Sequence, residues 1–247
     1  MAIINFDLKQ IEIICFSQLC KDPTLLKILN EGRDIHKFMV SSLYGEKEED
    51  ISSDDPRRKD VKPGTFGIIY GNGAQKLSLN TGKDVEWCKN FIETFYKMFP
   101  MAKKWHNYIQ AEVEAKGELK LFTGLRLKFD KKPAQFEWQI RKGILESYNP
   151  PDIKNWPVQS LAKTIAALWI GNFYREKAIY KKEKYILINT VHDSLMLDCN
   201  QEFVNEALND CQEIVDKLPE YISKLWGIKW LAPIKIDVKI GDSWADV

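Results

Sequence analysis

Two aspartates stand where apolar runs should end. Asp7 closes the run Ala2-Ile3-Ile4-Asn5-Phe6, and Asp193 lies in His192-Asp193-Ser194 between residues 185–191 and 195–199, which read as a hairpin. At either place a carboxylate is half desolvated unless something satisfies it. If the two strands are neighbours in one sheet, the acids converge although 186 positions separate them. Paired carboxylates bind hard cations through oxygen, and Mg²⁺ typically takes one or two of them plus phosphate oxygens. Two such ions roughly 3.5–4 Å apart can hold both the attacking and the leaving oxygen of an in-line displacement. An aspartate in a hairpin turn also serves merely to bond nearby backbone N–H groups, so neither acid alone commits the chain to a metal.

A second group of residues is spaced for one helix face. Arg58, Lys62, Phe66 and Tyr70 step by four and form a single stripe. Two cations followed by two aromatics suit a nucleoside triphosphate, with phosphates at the basic end and sugar and base at the aromatic end. The same stripe also fits a helix with a solvated basic end and buried aromatics. His36, after Asp34 and Ile35, opens another helical stretch, where an isolated histidine is usually a surface residue. His106 belongs to no pattern and is expected to be exposed.

Around these groups the chain reads as scattered strands among helices. Residues 2–7 form a strand, 11–19 a buried helix, and 25–44 a helical stretch followed by an acidic loop at 45–55. A helix follows Pro56 and stops at Gly71 and Gly73, and 84–116 reads as an amphipathic helix or two interrupted near Pro100. Residues 119–129 suggest a hairpin around Thr123-Gly124. The proline-containing stretch 130–157 reads as irregular, 158–181 as a long helix, 203–226 as another and 234–240 as a closing strand. Hairpins among helices favour an α+β sheet over a doubly wound one.

The motifs, taken in order, resemble family A DNA polymerases. Asp7-Leu8-Lys9-Gln10-Ile11-Glu12 resembles the first polymerase motif. Arg58, Lys62, Phe66, Gly67, Tyr70 and Gly71 reproduce RxxxKxxxFGxxYG. Asn155, Pro157, Val158 and Gln159 match a further segment, Val191-His192-Asp193-Ser194 the third motif, and Gly241-Asp242-Ser243-Trp244 the usual tail. The resemblance implies a palm of antiparallel sheet backed by helices, with a mainly helical fingers subdomain. Residues 1–24 and 131–247 would form the palm, and 25–130 the fingers. It implies two Mg²⁺ ions held by Asp7, Asp193 and the backbone of Leu8. Leu8, Gln10, Glu12, His36, Arg58, Lys62, Phe66 and Tyr70 would bind the nucleotide, with Lys62 also catalytic as proton donor to pyrophosphate. Gln159, His192 and Asn155 would contact DNA, Gln159 through minor-groove acceptors common to every base pair. Glu12 beneath the sugar would exclude a 2′-hydroxyl and so select deoxynucleotides.

Departures from the pattern set further expectations. Ser194 stands where many members have Glu, and Ile14 where a basic residue is frequent. Pro63-Gly64-Thr65 should interrupt the fingers helix. The family's thumb and exonuclease precede the first motif, so either the chain is a fragment or a second polypeptide supplies them; a split polymerase is the preferred expectation. The partners are then primer–template DNA, deoxynucleoside triphosphates and that polypeptide. Competing readings are a non-catalytic primer–template-binding subunit, an inactive remnant, or a two-acid nuclease, which would have no use for the fingers stripe. Lys and Arg total 36 against 35 Asp and Glu, so any DNA-binding surface must come from local segregation of charge. The five cysteines lack zinc-site spacing, no apolar run reaches the roughly 18 residues of a membrane span, and no signal peptide is visible. A cytoplasmic protein with free thiols is expected.

Overall fold

The computed structural model describes residues 1–134 and 137–247. Strand β1 (Ala2–Leu8) leads into helices α1 (Ile11–Cys20), α2 (Pro23–Asn30), α3 (Ile35–Tyr44), α4 (Pro56–Ile69), α5 (Ala74–Thr81), α6 (Val85–Met98) and α7 (Pro100–Lys116). Short strands β2 (Glu118–Lys120), β3 (Arg126–Lys128) and β4 (Lys132–Pro133) follow, then helix α8 (Glu137–Arg141) and strand β5 (Glu146–Ser147). Helix α9 (Pro150–Glu176), strands β6 (Tyr185–Val191) and β7 (Ser194–Cys199), helix α10 (Val204–Trp226) and strand β8 (Ile236–Gly241) complete the chain. The α+β class expected from sequence is the one that forms. Two compact units result, one of Met1–Cys15 with Gln159–Val247, the other of Phe16–Val158. Residues 16–24 and 131–158, assigned to the palm from sequence, fall in the second unit.

The first unit is built on an antiparallel sheet of order β6-β7-β1-β8. Strand β1 alternates strictly: Ala2, Ile4, Phe6 and Leu8 are buried, while Ile3, Asn5 and Asp7 point to the other face. Each buried Ile, Phe or Leu contributes roughly 1.5–3 kcal/mol. Directly opposed residues share a face, so Leu195, Leu197 and Cys199 of β7 extend the buried side. Helices α9 and α10 join it through Tyr185, whose ring stacks 6.0 Å from Phe173 and whose hydroxyl donates to Asp210 at 2.7 Å. Asp210 is itself buried, and Lys177 and Lys181 pair with it at 3.1 and 2.5 Å.

The second unit is mainly helical. Asp22 caps α2 by accepting from the N–H groups of Thr24 and Leu25, and its other oxygen accepts from Met101 at the start of α7. One buried carboxylate thus satisfies orphan donors of two helices. The stretch 25–44 is two helices rather than one: Gly32, at φ +68°, turns the chain, and Asp34 caps α3. The hairpin at 119–129 forms as β2 and β3, over a core of Ile109, Val113, Leu119, Leu121, Phe129 and Ile153.

Two expectations about proline fail here. Helix α4 runs unbroken from Pro56 to Ile69 with Pro63 inside it. The lost backbone bond is outweighed by packing: Val61, Gly64, Thr65, Gly67, Ile68 and Ile69 are all buried. The stretch 130–157 is not wholly irregular either, since β4 pairs with β5 and α9 begins at Pro150. Pro150 and Pro151 sit where a helix has no use for their N–H groups, so they open the helix instead of preventing it.

Gly64 is where α4 meets α6. A Cβ there would lie 2.7 Å from Cε1 and 3.1 Å from Cζ of Phe91. Phe91 is fully buried and cannot swing away. Gly64→Ala should therefore lower stability by about 1–3 kcal/mol, despite alanine's better helix propensity, as read by urea denaturation. An unchanged or higher midpoint would show that the contact between α4 and α6 is slack.

Candidate active site

The two acids expected to converge do so because their strands are adjacent. In the register of β1 and β7, Asp7 lies opposite Ser194, and the Leu8 N–H donates to the Asp193 carbonyl at 3.2 Å. β6 and β7 are joined by a two-residue turn, His192-Asp193, with Ser194 Oγ donating back to the Val191 carbonyl at 2.9 Å. His192 takes φ +56°, a conformation that costs a side-chain-bearing residue and is normally glycine's. On its other flank Asp7 opposes Asp237 of β8, which Lys9 pairs at 3.0 Å. Burial first, then the charges of Asp193 and Asp237, raise the Asp7 carboxyl above the ordinary aspartate range, against Lys239 and the Leu8 N–H. Repulsion between carboxylates of this kind is relieved by a cation. Among the described residues no three metal-binding side chains cluster. A cation there would complete its shell with backbone carbonyl, water and phosphate oxygens, which is Mg²⁺ chemistry.

Next to the acids the first unit holds a cleft of about 440 Å³, lined by Ile11, Glu12, Gln159, Ala162, Lys163, His192 and Asp193. It brings together Glu12, Gln159, His192 and Asp193, named from three separate sequence segments. Gln10, at φ +52°, makes the sharp turn from β1 into α1, and its carbonyl accepts from the Ile14 N–H. Glu12 thereby falls in the first turn of α1. Lys163 was not anticipated, although it stands one helical turn beyond Gln159 on α9.

The second unit assembles the other set. Asp34 caps α3 by accepting from the His36 N–H at 2.8 Å, and its second oxygen accepts from Arg58 Nε at 2.8 Å. Burial opposes the Asp34 charge, but Arg58 and the His36 N–H outweigh it and hold the carboxyl below its usual range. The His36 ring lies 6.0 Å from Phe66, and Phe66 6.2 Å from Tyr70, a tilted aromatic row along α4. Lys62 is exposed. His36 is buried rather than at the surface, and its Nδ1 has no partner. Burial lowers its pKa to about 4; Asp34 opposes the drop, and the cations Arg58 and Lys62 add to it. Asp34 carries a signal legible in the sequence, since an aspartate just before a helical run is an N-cap signal.

Asn155 lies in the second unit, half-buried, with its Oδ1 unpartnered, and does not line the cleft that Gln159 lines. His106 is buried rather than exposed, bonded at 2.9 Å to the Tyr96 hydroxyl and flanked by Phe16 and Trp105. The expectation of exposure failed because Tyr96, ten residues away, supplies a polar partner inside the core.

A model of DNA polymerase family A matches residues 1–246, and the chain belongs to that family. It is 29% identical over 248 residues to DNA polymerase I of Aquifex aeolicus (strain VF5), covering 96% of this chain and 38% of that protein. It is 26% identical over 243 residues to the thermostable DNA polymerase I of Thermus aquaticus, with 98% and 27% covered. To the DNA polymerase of Bacillus phage SP01 it is 25% identical over 250 residues, with 99% and 26% covered. Among solved structures, the POL domain of Pol1 from M. smegmatis, in complex with DNA primer-template and dNTP, has the same fold. Its TM-score is 0.77 at 20% identity, over 99% of this chain and 40% of that one. The chain thus spans well under half the length of these relatives. No helix among the described residues is long and apolar enough to cross a membrane.

The buried histidines give the site a pH signature. Burial, with the Lys154 charge adding and the Ile69 carbonyl opposing, takes His106 down to about 3, as burial takes His36 to about 4. Both lie below the unfolded value of 6.5. The unfolded chain therefore binds more protons, and stability should fall as pH drops from about 6.5 towards 4. Imidazole NMR should find both rings neutral at pH 6, and His36→Gln should flatten the slope of stability against pH. A His36 resonance titrating near 6.5 would sink this reading.

Proposed function

We propose that this chain carries the nucleotidyl-transfer chemistry of a template-directed DNA polymerase that adds deoxynucleotides to a primer 3′ end. One observation carries the reading: Asp7 and Asp193, far apart in sequence, meet at one end of an antiparallel sheet, in a chain of this family. The first compact unit would be the palm, and the helices α2 to α7 of the second the fingers. The donor set is all oxygen, and Asp7, Asp193 and the Leu8 carbonyl would hold two Mg²⁺ ions. When bound, the ions lower the pKa of the primer hydroxyl and neutralise charge on the phosphoryl oxygens.

The chain's own residues would do the rest. Arg58, Lys62 and His36 would hold the triphosphate. Because burial keeps His36 neutral, it would offer a single N–H without a second positive charge. Lys62, exposed on α4, would donate a proton to the departing pyrophosphate. Phe66 and Tyr70 would flank sugar and base, with Gln10 and Leu8 contributing backbone contacts to the nucleotide. In the palm cleft Glu12 would exclude a 2′-hydroxyl, Gln159 would donate to minor-groove acceptors and His192 would sit by the primer terminus, while Asn155 would contact the DNA. The relatives are longer chains named as polymerases, and nothing about them favours a second polypeptide; its addition is one arm of the test.

The test is Mg²⁺-dependent extension of a primed template. Asp7→Asn and Asp193→Asn should each slow extension by roughly 10³-fold, the scale of several kcal/mol of lost metal-assisted stabilisation, while still binding the primed template. Extension by the parent chain that survives both substitutions would refute the two-acid chemistry. Binding without extension, unrelieved by an amino-terminal polymerase segment, would favour a binding-only subunit.

Sugar choice gives a second check. Glu12→Ala should raise ribonucleotide incorporation relative to deoxyribonucleotide by roughly 10–200-fold, the range of 1–3 kcal/mol of lost steric discrimination. An unchanged ratio would remove Glu12 from that role.

A further inference from the structure

Lys154 sits near the start of α9, in the second unit, half-buried. Its aliphatic stem lies against the backbone of Gly71, just past the carboxyl-terminal end of α4. A Cβ on Gly71 would fall 2.5 Å from Lys154 Cδ and 3.1 Å from its Cβ, and Gly71 has φ +76°. Glycine is required there both by conformation and by the stem packed onto it. The ammonium makes no ion pair among the described residues, unlike Lys132 four residues past Lys128, which pairs with Asp152 at 2.9 Å. No acid bears on it; burial alone moves its pKa, downward. The nearby titratable group is His106, and burial holds that ring neutral, so it supplies no anion. Beside Lys154, the Oδ1 of Asn155 is buried without a partner.

A cation whose stem is held against the backbone and whose ammonium has no counter-charge is a placed, unpaired partner for an anionic ligand. We infer that Lys154 is a contact for a backbone phosphate of the template strand. Its place along α4 argues for template over nucleotide. The helix runs from Arg58 and Lys62, through Phe66 and Tyr70, to Gly71. Thirteen residues from Arg58 to Gly71 span about 20 Å, longer than a triphosphate chain. If the incoming triphosphate lies at the basic end and its base at the aromatic end, Lys154 stands beyond the base, where the strand bearing the pairing base must run. In a chain whose charges nearly cancel, such placed cations are what a nucleic-acid surface would be made of. This assignment rests on the polymerase reading above.

Fluorescence anisotropy with a labelled hairpin primer–template, from about 50 to 300 mM KCl, tests it in the parent chain, Lys154→Met and Lys154→Arg. Methionine keeps an unbranched apolar stem on Gly71, and a matched thermal unfolding midpoint verifies that the fold is intact. Lys154→Met should weaken binding about 5–10-fold near 100 mM salt and reduce the slope of log Kd against log salt by about one. Lys154→Arg should stay near the parent, and the KM for deoxynucleotide should not move in either. Equal affinity and slope in Lys154→Met would overturn the inference. So would a raised nucleotide KM with DNA affinity unchanged, which would give the cation to the triphosphate. A parent chain that binds no primer–template would instead sink the polymerase reading itself.

Discussion

Everything at the end of the sheet that carries Asp7 and Asp193 depends on the register of β1 between β7 and β8. Ile4, Phe6 and Leu8 are almost wholly removed from water, and that apolar face permits only one pairing with Leu195, Leu197 and the edge strand. A slip of one residue would drive Asp7 into the core and bring Phe6 to the surface. Hydrophobic burial therefore fixes the position of a charged group that itself contributes nothing to burial. Asp7 also stands beside two other carboxylates, an arrangement that lowers stability in the free chain. The strand's packing holds the acids together against their repulsion, leaving a concentration of negative charge that a bound cation would relieve.

The second unit reaches a comparable rigidity through polar groups and close backbone approach. Asp34 caps α3 with one oxygen and holds Arg58 of α4 with the other. Its two tasks fix His36 and Arg58 relative to each other. Gly64 brings α4 onto the Phe91 ring, and Gly71 lets Lys154 lie flat on its backbone. A basic and aromatic stripe is thus set on a helix that cannot rotate without breaking a carboxylate bridge and two close contacts.

Much of this was legible in the sequence where pattern and chemistry coincide. The β6–β7 hairpin announced itself by two apolar runs around a polar triplet, and β1 by an apolar run ending on an acid. The stripe of α4 needed only a step of four. What was not legible depended on partners distant in the chain. Pro63 reads as a breaker until Phe91 and Leu77 are seen packed against its helix. Pro150 and Pro151 look the same locally whether they prevent a helix or begin one. His106 is buried because Tyr96 reaches it, and His36 because α4 covers it. The compact units also divide at 15/16 and 158/159, inside α1 and α9; nothing local marks the first boundary, and Pro157 near the second does not break its helix.

The turn that carries Asp193 has a cost of its own. His192 occupies the left-handed region, where a glycine would sit without strain and this residue gives up on the order of 1 kcal/mol or more. Selection for folding alone would drift this position towards glycine, which relaxes the turn and leaves the hairpin intact. An imidazole there forgoes that relief, and the side chain it keeps lines the cleft beside Asp193. Variants of this chain screened only for heat resistance would then be drawn to glycine at 192, gaining melting temperature while losing the side chain that lines the cleft beside the acid.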